Sequence, residues 1–284
     1  MTNIPKNHHY VAQMHAGRFT DADGMLWAYT KKTGKLFRGP PKAVFAETHL
    51  YTIEGPDGKK DTSFEAALSV LEGKANTVIG KLVDGARAGG PIALTADERE
   101  TWDRYLYVQW KRVPDVHHKY ATSQEQEDRL DQIFDHFRAQ GGDAAAQVAA
   151  LDNPVERKRI LQGGKVKALE RDPGSVRAAL ATRGVVVLRI TAPNQSFAIG
   201  SLPIVRTRGD LLAADAEVWL PVASDVAVGI GGSPGGVSSV SIDDTAAIHT
   251  MNRVTAGQST TFAAGSKVLV ETLRDEILSH FSSV

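Results

Sequence analysis

The sequence predicts an α+β protein with an N-terminal β-hairpin region, a helical middle and a C-terminal, mainly antiparallel sheet with closing helices. Three observations predict this order. Short apolar runs flank turn residues up to position 60, apolar residues recur at helical spacing over 61–183, and β-branched runs begin at position 184. We expect one compact domain over residues 1–284, with subregions at 1–60, 61–183 and 184–284.

The first region contains a predicted β-hairpin. Two apolar runs, at 25–29 and 35–37, flank a polar turn at 31–34, which is the pattern of two strands joined by a short loop. A third short strand is expected at 47–53. A turn rich in Gly and Pro at 54–58 then ends the β region.

The starts of the helices in the middle region are predicted by capping-box spacing, in which a hydroxyl residue stands three positions before Glu or Gln. The three pairs are Thr62 with Glu65, Thr95 with Glu98, and Ser123 with Gln126. We expect Pro114 to end the second helix. The third helix is expected to bury Leu130, Ile133, Phe134 and Phe137. Shorter helices are expected at 144–151, 154–169 and 175–182.

Five runs rich in β-branched residues predict the strands of the C-terminal sheet, at 185–191, 197–199, 204–206, 217–222 and 226–230. Because Pro, Gly and Asn separate these runs at short intervals, we expect a meandering and mainly antiparallel sheet. Two helices, at 245–254 and 259–280, are expected to close it.

Composition excludes several classes of protein. The chain has no cysteine, so disulfides, thiolate nucleophiles and cysteine metal sites are excluded. No run approaches the roughly 20 apolar residues that span a bilayer, and the first residues lack the apolar core of a signal peptide. We therefore expect a cytoplasmic protein with no membrane partner. The formal net charge is zero, so overall charge does not draw the protein to nucleic acid.

Charge is nevertheless unevenly distributed along the chain. Residues 156–171 carry six Lys or Arg against two Glu, whereas residues 209–252 carry six acids and no Lys or Arg. A basic run of this kind is usually a solvated helix face. The alternative is a binding surface for a phosphate-bearing ligand or nucleic acid, which are the only partners that the sequence indicates.

Cofactor and metal motifs are weak. The pairs His8-His9 and His117-His118 are adjacent in sequence, so their side chains diverge and one metal ion rarely takes both. We predict no cofactor and no metal ligands. A divalent metal held by His residues far apart in sequence stays an alternative, with no ligand motif to support it.

The opening residues Asn7-His8-His9-Tyr10-Val11, followed by Gln13 and the pair Arg18-Phe19, resemble the start of the family catalogued as domain of unknown function 4238. Further landmarks follow in the family's order along nearly the whole chain, among them Leu71-Glu72, the helix end at 109–114 and Met251-Asn252-Arg253. The resemblance implies no particular reaction, because the family has no established activity. Ser201 stands where the family usually has Asp, which would make this chain an altered or inactive member if that Asp belongs to an active site.

The side chains at these landmarks suggest a hydrolase that acts on a phosphate-bearing substrate, in the manner of a nuclease. Histidine exchanges protons near neutral pH, a carboxylate can orient it, and Arg and amide groups can hold an anion. The catalytic candidates are His8, His9 and Glu72, and the substrate-binding candidates are Gln109, Arg112 and Asn252.

Two other interpretations stay open, so the sequence does not decide whether the protein is an enzyme. In the structural interpretation, Glu72 and Arg112 form a buried ion pair between two helices, and Gln109 and the histidines satisfy backbone groups. In the other, the protein is a non-catalytic binding or interaction module that uses segment 156–171 or the C-terminal helices. Convergence of the candidate residues in an open cleft would favour the enzyme.

Overall fold

The computed structural model describes residues 7–55, 57–113, 123–171, 174–208, 216–231 and 234–281. It confirms the α+β class, because strands dominate both ends of the chain and helices dominate the middle. In these parts of the chain, the strands form a five-stranded sheet, a four-stranded sheet and two small pairs.

The first region consists of short elements. In chain order they are β1 (Asn7–His9), α1 (Gln13–Ala16), β2 (Leu26–Thr30), β3 (Lys35–Gly39), α2 (Pro41–Val44), β4 (Ala46–Thr48), β5 (Ile53–Glu54) and β6 (Lys60–Asp61). The hairpin of β2 and β3 confirms the predicted one. The single strand expected at 47–53 is wrong, because a turn separates β4, which pairs with β1, from β5, which pairs with β6. His49, in this turn, has a left-handed backbone with a φ of 58°.

The helices described in the middle region are α3 (Ser63–Ala88), α4 (Ala96–Lys111), α5 (Ser123–Gln140), α6 (Gly142–Leu151), α7 (Pro154–Glu170) and α8 (Gly174–Ala181). A full capping box forms at Thr95, whose side chain accepts a hydrogen bond from the Glu98 amide while Glu98 bonds back. No such box forms at Thr62, whose side chain makes no capping bond. Instead Asp61 accepts a hydrogen bond from the amide of Ser63. Pro114, expected to end α4, lies outside the described residues.

The apolar face of α5 is only half covered. Leu130 and Phe134 are buried in a small core shared with α6 and α7, as expected. Ile133 and Phe137, which were also expected to be buried, are 51% and 43% exposed. The expectation fails for these two because the apolar stripe of α5 is wider than the surface that α6 and α7 provide.

The last region contains β7 (Gly184–Ile190), β8 (Ile199–Gly200), β9 (Val205–Arg208), β10 (Glu217–Ala223), β11 (Val226–Gly231), β12 (Val237–Ile242), α9 (Thr245–Gln258), β13 (Thr261–Ala264) and α10 (Lys267–Phe281). The order in the five-stranded sheet is β12-β7-β11-β10-β9. All neighbours are antiparallel except β12 and β7, so the sheet is mainly antiparallel, as predicted.

Both faces of the five-stranded sheet are covered. On β7, Val185 and Val187 face a core shared with α3, α4 and α8, whereas Leu188 and Ile190 face a second core formed with the N-terminal segment and α9. Because both faces are covered, the strand is a nearly continuous apolar run without alternation, and its β-branched residues are what marks it as a strand in the sequence. None of the described helices is long and apolar enough to cross a membrane.

The helix expected at 259–280 is wrong over its first part. Thr261–Ala264 is instead the strand β13, which lies between β2 and β8 in a four-stranded sheet of order β3-β2-β13-β8. Phe262, Ala263 and Ala264 are all fully buried, so no alternation marks them as a strand. α10 begins only at Lys267, and the two ends of the chain share one sheet.

Two of the three predicted capping boxes, at Thr95 and Thr62, give a matched test of the α4 start. Replacing Thr95 by Ala should lower the free energy of unfolding by about 1 kcal/mol, because the Glu98 amide loses its acceptor. Replacing Thr62 by Ala should change it by less than about 0.5 kcal/mol. Urea unfolding of both variants measures the difference, and equal losses would contradict the capping assignment.

Candidate functional site

Arg112 is the centre of an enclosed cluster at the end of α4. Its Nη1 donates to Glu72 Oε1 on α3 at 2.6 Å, and its Nε donates to the backbone oxygen of Tyr10 at 2.8 Å. The amide of Gln109, with its oxygen turned toward these donors, accepts a hydrogen bond from Arg112 Nη2 at 3.0 Å. The guanidinium group thus joins α3, α4 and the N-terminal segment.

The charge of Arg112 is maintained inside the protein. Desolvation by burial lowers the pKa of its guanidinium group, but the Glu72 carboxylate, together with Tyr51 and Tyr105, outweighs that effect and raises the pKa above its usual value. A buried charge needs such a partner, because an unpaired one is very costly in a medium of low dielectric constant. Glu72 itself keeps contact with solvent, since 23% of its side chain is exposed.

His8 joins the same cluster through Tyr51. The backbone amide of Tyr51 donates to His8 Nδ1 at 2.9 Å, and the Tyr51 hydroxyl donates to the backbone oxygen of Arg112 at 3.0 Å. The His8 and Tyr51 rings are also stacked, with centroids 5.7 Å apart. Because His8 Nδ1 accepts a hydrogen bond, the neutral ring carries its proton on Nε2.

The other two candidates lie elsewhere. His9 points away from its neighbour, with Nε2 3.1 Å from the backbone oxygen of Lys42 and Nδ1 3.3 Å from the Gln13 amide. Asn252 on α9 bonds the backbone before β8, accepting from the amide of Ala198 and donating to the oxygen of Ser196. The structure therefore brings together His8, Glu72, Gln109 and Arg112, and leaves His9 and Asn252 apart.

Within the cluster, His8 and Arg112 are shielded from solvent, whereas Glu72 is partly exposed. His8 is 0% and Arg112 1% exposed, and the donors of Arg112 are used within the protein. A guanidinium group in this state cannot clamp a phosphate without breaking the contacts that hold the segments together. The geometry therefore matches the structural interpretation of the ion pair, and the catalytic roles stay predictions.

Two further titratable groups near the cluster were not among the site candidates that the sequence predicted. His15 is fully buried, with Nε2 2.6 Å from the Pro221 oxygen and Nδ1 3.2 Å from the Tyr105 hydroxyl, and burial lowers its pKa to about 4. Glu65, two turns before Glu72 on α3, has an enclosed Oε2 with no hydrogen-bond partner in the described part of the chain. Burial raises the pKa of Glu65 to about 7, against the opposing charge of Arg112.

A cleft of about 1240 Å³ lies beside the cluster, between α7 and segment 47–60. The side chains that α7 contributes recur at helical spacing and include Lys158, Leu161, Gln162, Lys165 and Leu169. Gln162 fixes the helix to the turn opposite, since its Nε2 donates to the backbone oxygens of Leu50 and Thr52. The basic segment of the sequence therefore forms one wall of an open cavity.

The opposite wall carries His49 and Lys60, neither of which the sequence singled out. Both side chains line the cleft, and Lys60 Nζ lies 3.4 Å from His49 Nε2. Tyr51 also lines the cleft, and its hydroxyl donates to Arg112 in the enclosed cluster. In the parts of the chain that the structure covers, no three His, Asp or Glu side chains are grouped so that they could hold a metal ion. His117 and His118 lie outside the described residues.

Ser201 has a structural role in this chain. It is 1% exposed, and its Oγ accepts hydrogen bonds from the amides of Thr260 and Thr261 at 3.0 and 3.2 Å. A carboxylate at this position could accept the same two bonds. Ser201 therefore gives these two amides an acceptor, as an Asp at the same position could.

The protein has an α+β fold in which an enclosed ion-pair cluster adjoins an open cleft with a basic wall. The chain belongs to the family described as "Protein of unknown function (DUF4238)", whose model matches residues 7–267. The match confirms the family resemblance of the opening His-His-Tyr segment. No curated protein and no solved structure matches the chain.

Removing the central charge of the cluster should destabilise the protein strongly. The Arg112→Met variant leaves Glu72 and the Tyr10 oxygen without their partner, and should lower the free energy of unfolding by about 3–5 kcal/mol. Arg104 is exposed on the same helix, so Arg104→Met should change it by less than about 0.5 kcal/mol. Urea unfolding compares the two, and similar small losses would show that the cluster does not hold these segments.

Glu65 should make stability depend on pH. Its pKa of about 7 in the folded protein exceeds the ordinary value of 4.5, so its stabilising contribution is complete below about pH 4.5 and is lost as the pH rises through 7. Glu65→Gln should therefore be more stable than wild type at pH 8 and similar to it at pH 4.5. Glu54→Gln, at an exposed position, is the control, and an unchanged pH profile of Glu65→Gln would contradict the assignment.

Proposed function

We propose that the protein is a non-catalytic binding module whose ligand is a phosphate-bearing molecule of nucleotide size, held in the cleft between α7 and segment 47–60. One observation carries the proposal. The ammonium groups of Lys60, Lys158 and Lys165 all line this cleft, and none forms an ion pair with a carboxylate among the described residues. Such groups are available to an anion without breaking any internal ion pair.

The geometry of α7 supports a ligand with one charged part and one apolar part. Lys158 and Lys165 are seven residues apart, or about 10 Å along the helix axis. Leu161 lies between them and Leu169 one turn beyond, on the wall that lines the cleft. The cleft volume of about 1240 Å³ exceeds the roughly 300–1,000 Å³ of common small-molecule sites. A nucleotide therefore fits, with its phosphates at the lysines.

The opposite wall favours a small ligand over nucleic acid. Glu47 and Glu54 line it together with Lys60. A long polyanion would lie against these carboxylates along its length, whereas a small ligand can place its phosphates at the lysines alone. The zero net charge of the chain supports the same choice, because no general field attracts a polymer.

A hydrolase of phosphate-bearing substrates, including a nuclease, is the second candidate. The observation that favours it is the imidazole of His49, a proton-exchanging group in the same cleft as the lysines. We retain a cytoplasmic location as part of the proposal, on the cysteine-free composition.

Charge reversal on α7 tests the binding proposal. The double variant Lys158→Glu/Lys165→Glu should weaken binding of ATP and GTP at least about tenfold, or ~1.4 kcal/mol, in isothermal titration calorimetry at low salt. Added salt should weaken binding to wild type, because the contacts are exposed to solvent. The matched control is Lys74→Glu/Arg104→Glu, which makes the same change of charge at exposed positions outside the cleft.

Four results would count against this proposal. Wild type that binds neither nucleotide nor inorganic triphosphate would contradict it. Equal losses in the two double variants would show a general charge effect rather than a site. Tighter binding of short single-stranded RNA than of ATP would indicate a nucleic-acid partner, and release of phosphate from ATP by wild type would favour the hydrolase.

A further inference from the structure

His49 occupies a backbone conformation that its own side chain disfavours. Its φ of 58° lies in the left-handed region, which residues with a Cβ enter at a cost. In the described chain only Asn194 shares this feature among non-glycine residues, and Asn and His both adopt it more often than most other side chains. A glycine at position 49 would make the same turn without strain. Strained non-glycine residues of this kind cluster at binding and active sites.

The imidazole of His49 is held in place from three sides. Nδ1 lies 3.3 Å from the hydroxyl of Thr52, and Nε2 lies 3.4 Å from Lys60 Nζ. The ring also meets the edge of the His8 ring, with centroids 6.4 Å apart. His8 is in turn fixed by Tyr51, so the enclosed cluster positions a ring that faces the cleft.

We propose that His49 Nε2 and Lys60 Nζ form the subsite for the terminal phosphate of the ligand, and that His49 is the residue that selects this group. This inference rests on the proposed nucleotide-binding function. Two nitrogen atoms 3.4 Å apart can contact two oxygens of one phosphate. The subsite lies on the wall opposite Lys158 and Lys165, which line the same cleft.

The hydrogen bonds around His49 allow it to donate to a phosphate without changing its charge. In the free protein Lys60 donates to Nε2, so the ring proton lies on Nδ1 and is donated to the Thr52 hydroxyl oxygen. When Lys60 turns to the phosphate, the ring proton moves through solvent to Nε2, which donates to a second phosphate oxygen. Nδ1 then accepts the hydroxyl proton of Thr52, because a hydroxyl group both donates and accepts.

A pair of glycine substitutions tests the subsite. His49→Gly removes the imidazole and relieves the strained backbone, so the variant should fold with a thermal midpoint within a few degrees of wild type. Its Kd for ATP, measured by calorimetry, should rise at least about tenfold. Asn194→Gly is the matched control, because it relieves the same conformation at a residue that does not line the cleft. Its Kd should change less than about twofold.

As a second test, the tautomer of the His49 ring can be measured directly in the wild-type protein. Two-dimensional NMR that correlates the ring protons and nitrogens of His49 should show the proton on Nδ1 without ATP and on Nε2 with saturating ATP. This measurement decides the question even if His49→Gly fails to fold.

The outcomes distinguish this inference from the function on which it rests. Unchanged ATP binding by His49→Gly, with binding lost in Lys158→Glu/Lys165→Glu, would overturn the His49 subsite and leave the cleft proposal standing. An Nδ1–H ring in the ATP complex would also overturn it. If wild type binds no ATP, both proposals are wrong.

Discussion

The guanidinium group of Arg112 is the interaction on which the arrangement of the helices and the N-terminal segment depends. A charge buried to this degree must be matched in full, and its partners come from three separate parts of the chain: Glu72 on α3, Gln109 on α4 and the backbone of Tyr10. The carbonyl of Arg112 itself accepts the Tyr51 hydroxyl. Because each contact is directional, the cluster fixes the positions of α3, α4 and the N-terminal segment relative to one another. An apolar core of the same size would fix these positions less strictly.

The sequence could predict the elements whose signals are local. The β-hairpin and the α4 capping box show a recognisable spacing, β7 shows a recognisable β-branched composition, and the structure contains all three. The predictions from the sequence failed where contacts with other parts of the chain decide the secondary structure or the burial of a residue. β13 is buried on both faces and shows no alternation, the strand expected at 47–53 is broken at His49, and Ile133 stays exposed because too little surface faces it. No local pattern in the sequence carries such information.

The sequence also predicts only part of the candidate site. Residue types at the family landmarks could indicate that His8, Glu72, Gln109 and Arg112 meet, since buried polar groups need partners. They could not indicate that the meeting point is closed to solvent. The open cavity lies one residue layer away and is lined by side chains that share no motif, such as His49 and Lys60. Tyr51 connects the two, because its ring stacks on His8 of the enclosed cluster and the residue also lines the cleft. The enclosed polar cluster therefore positions the wall of the cleft beside it.

The place of β13 between β2 and β8 has a consequence for how the chain folds. Its partner strand β2 lies more than two hundred positions earlier, with Phe262 opposite Tyr29. During synthesis the hairpin of β2 and β3 therefore leaves the ribosome long before β13. The free edge of β2 stays unpaired until nearly the whole chain has been synthesised. Contacts so distant in sequence close slowly because the entropy of a very long loop is lost first. We expect the hairpin edge to be the part of the nascent chain most in need of protection by a chaperone.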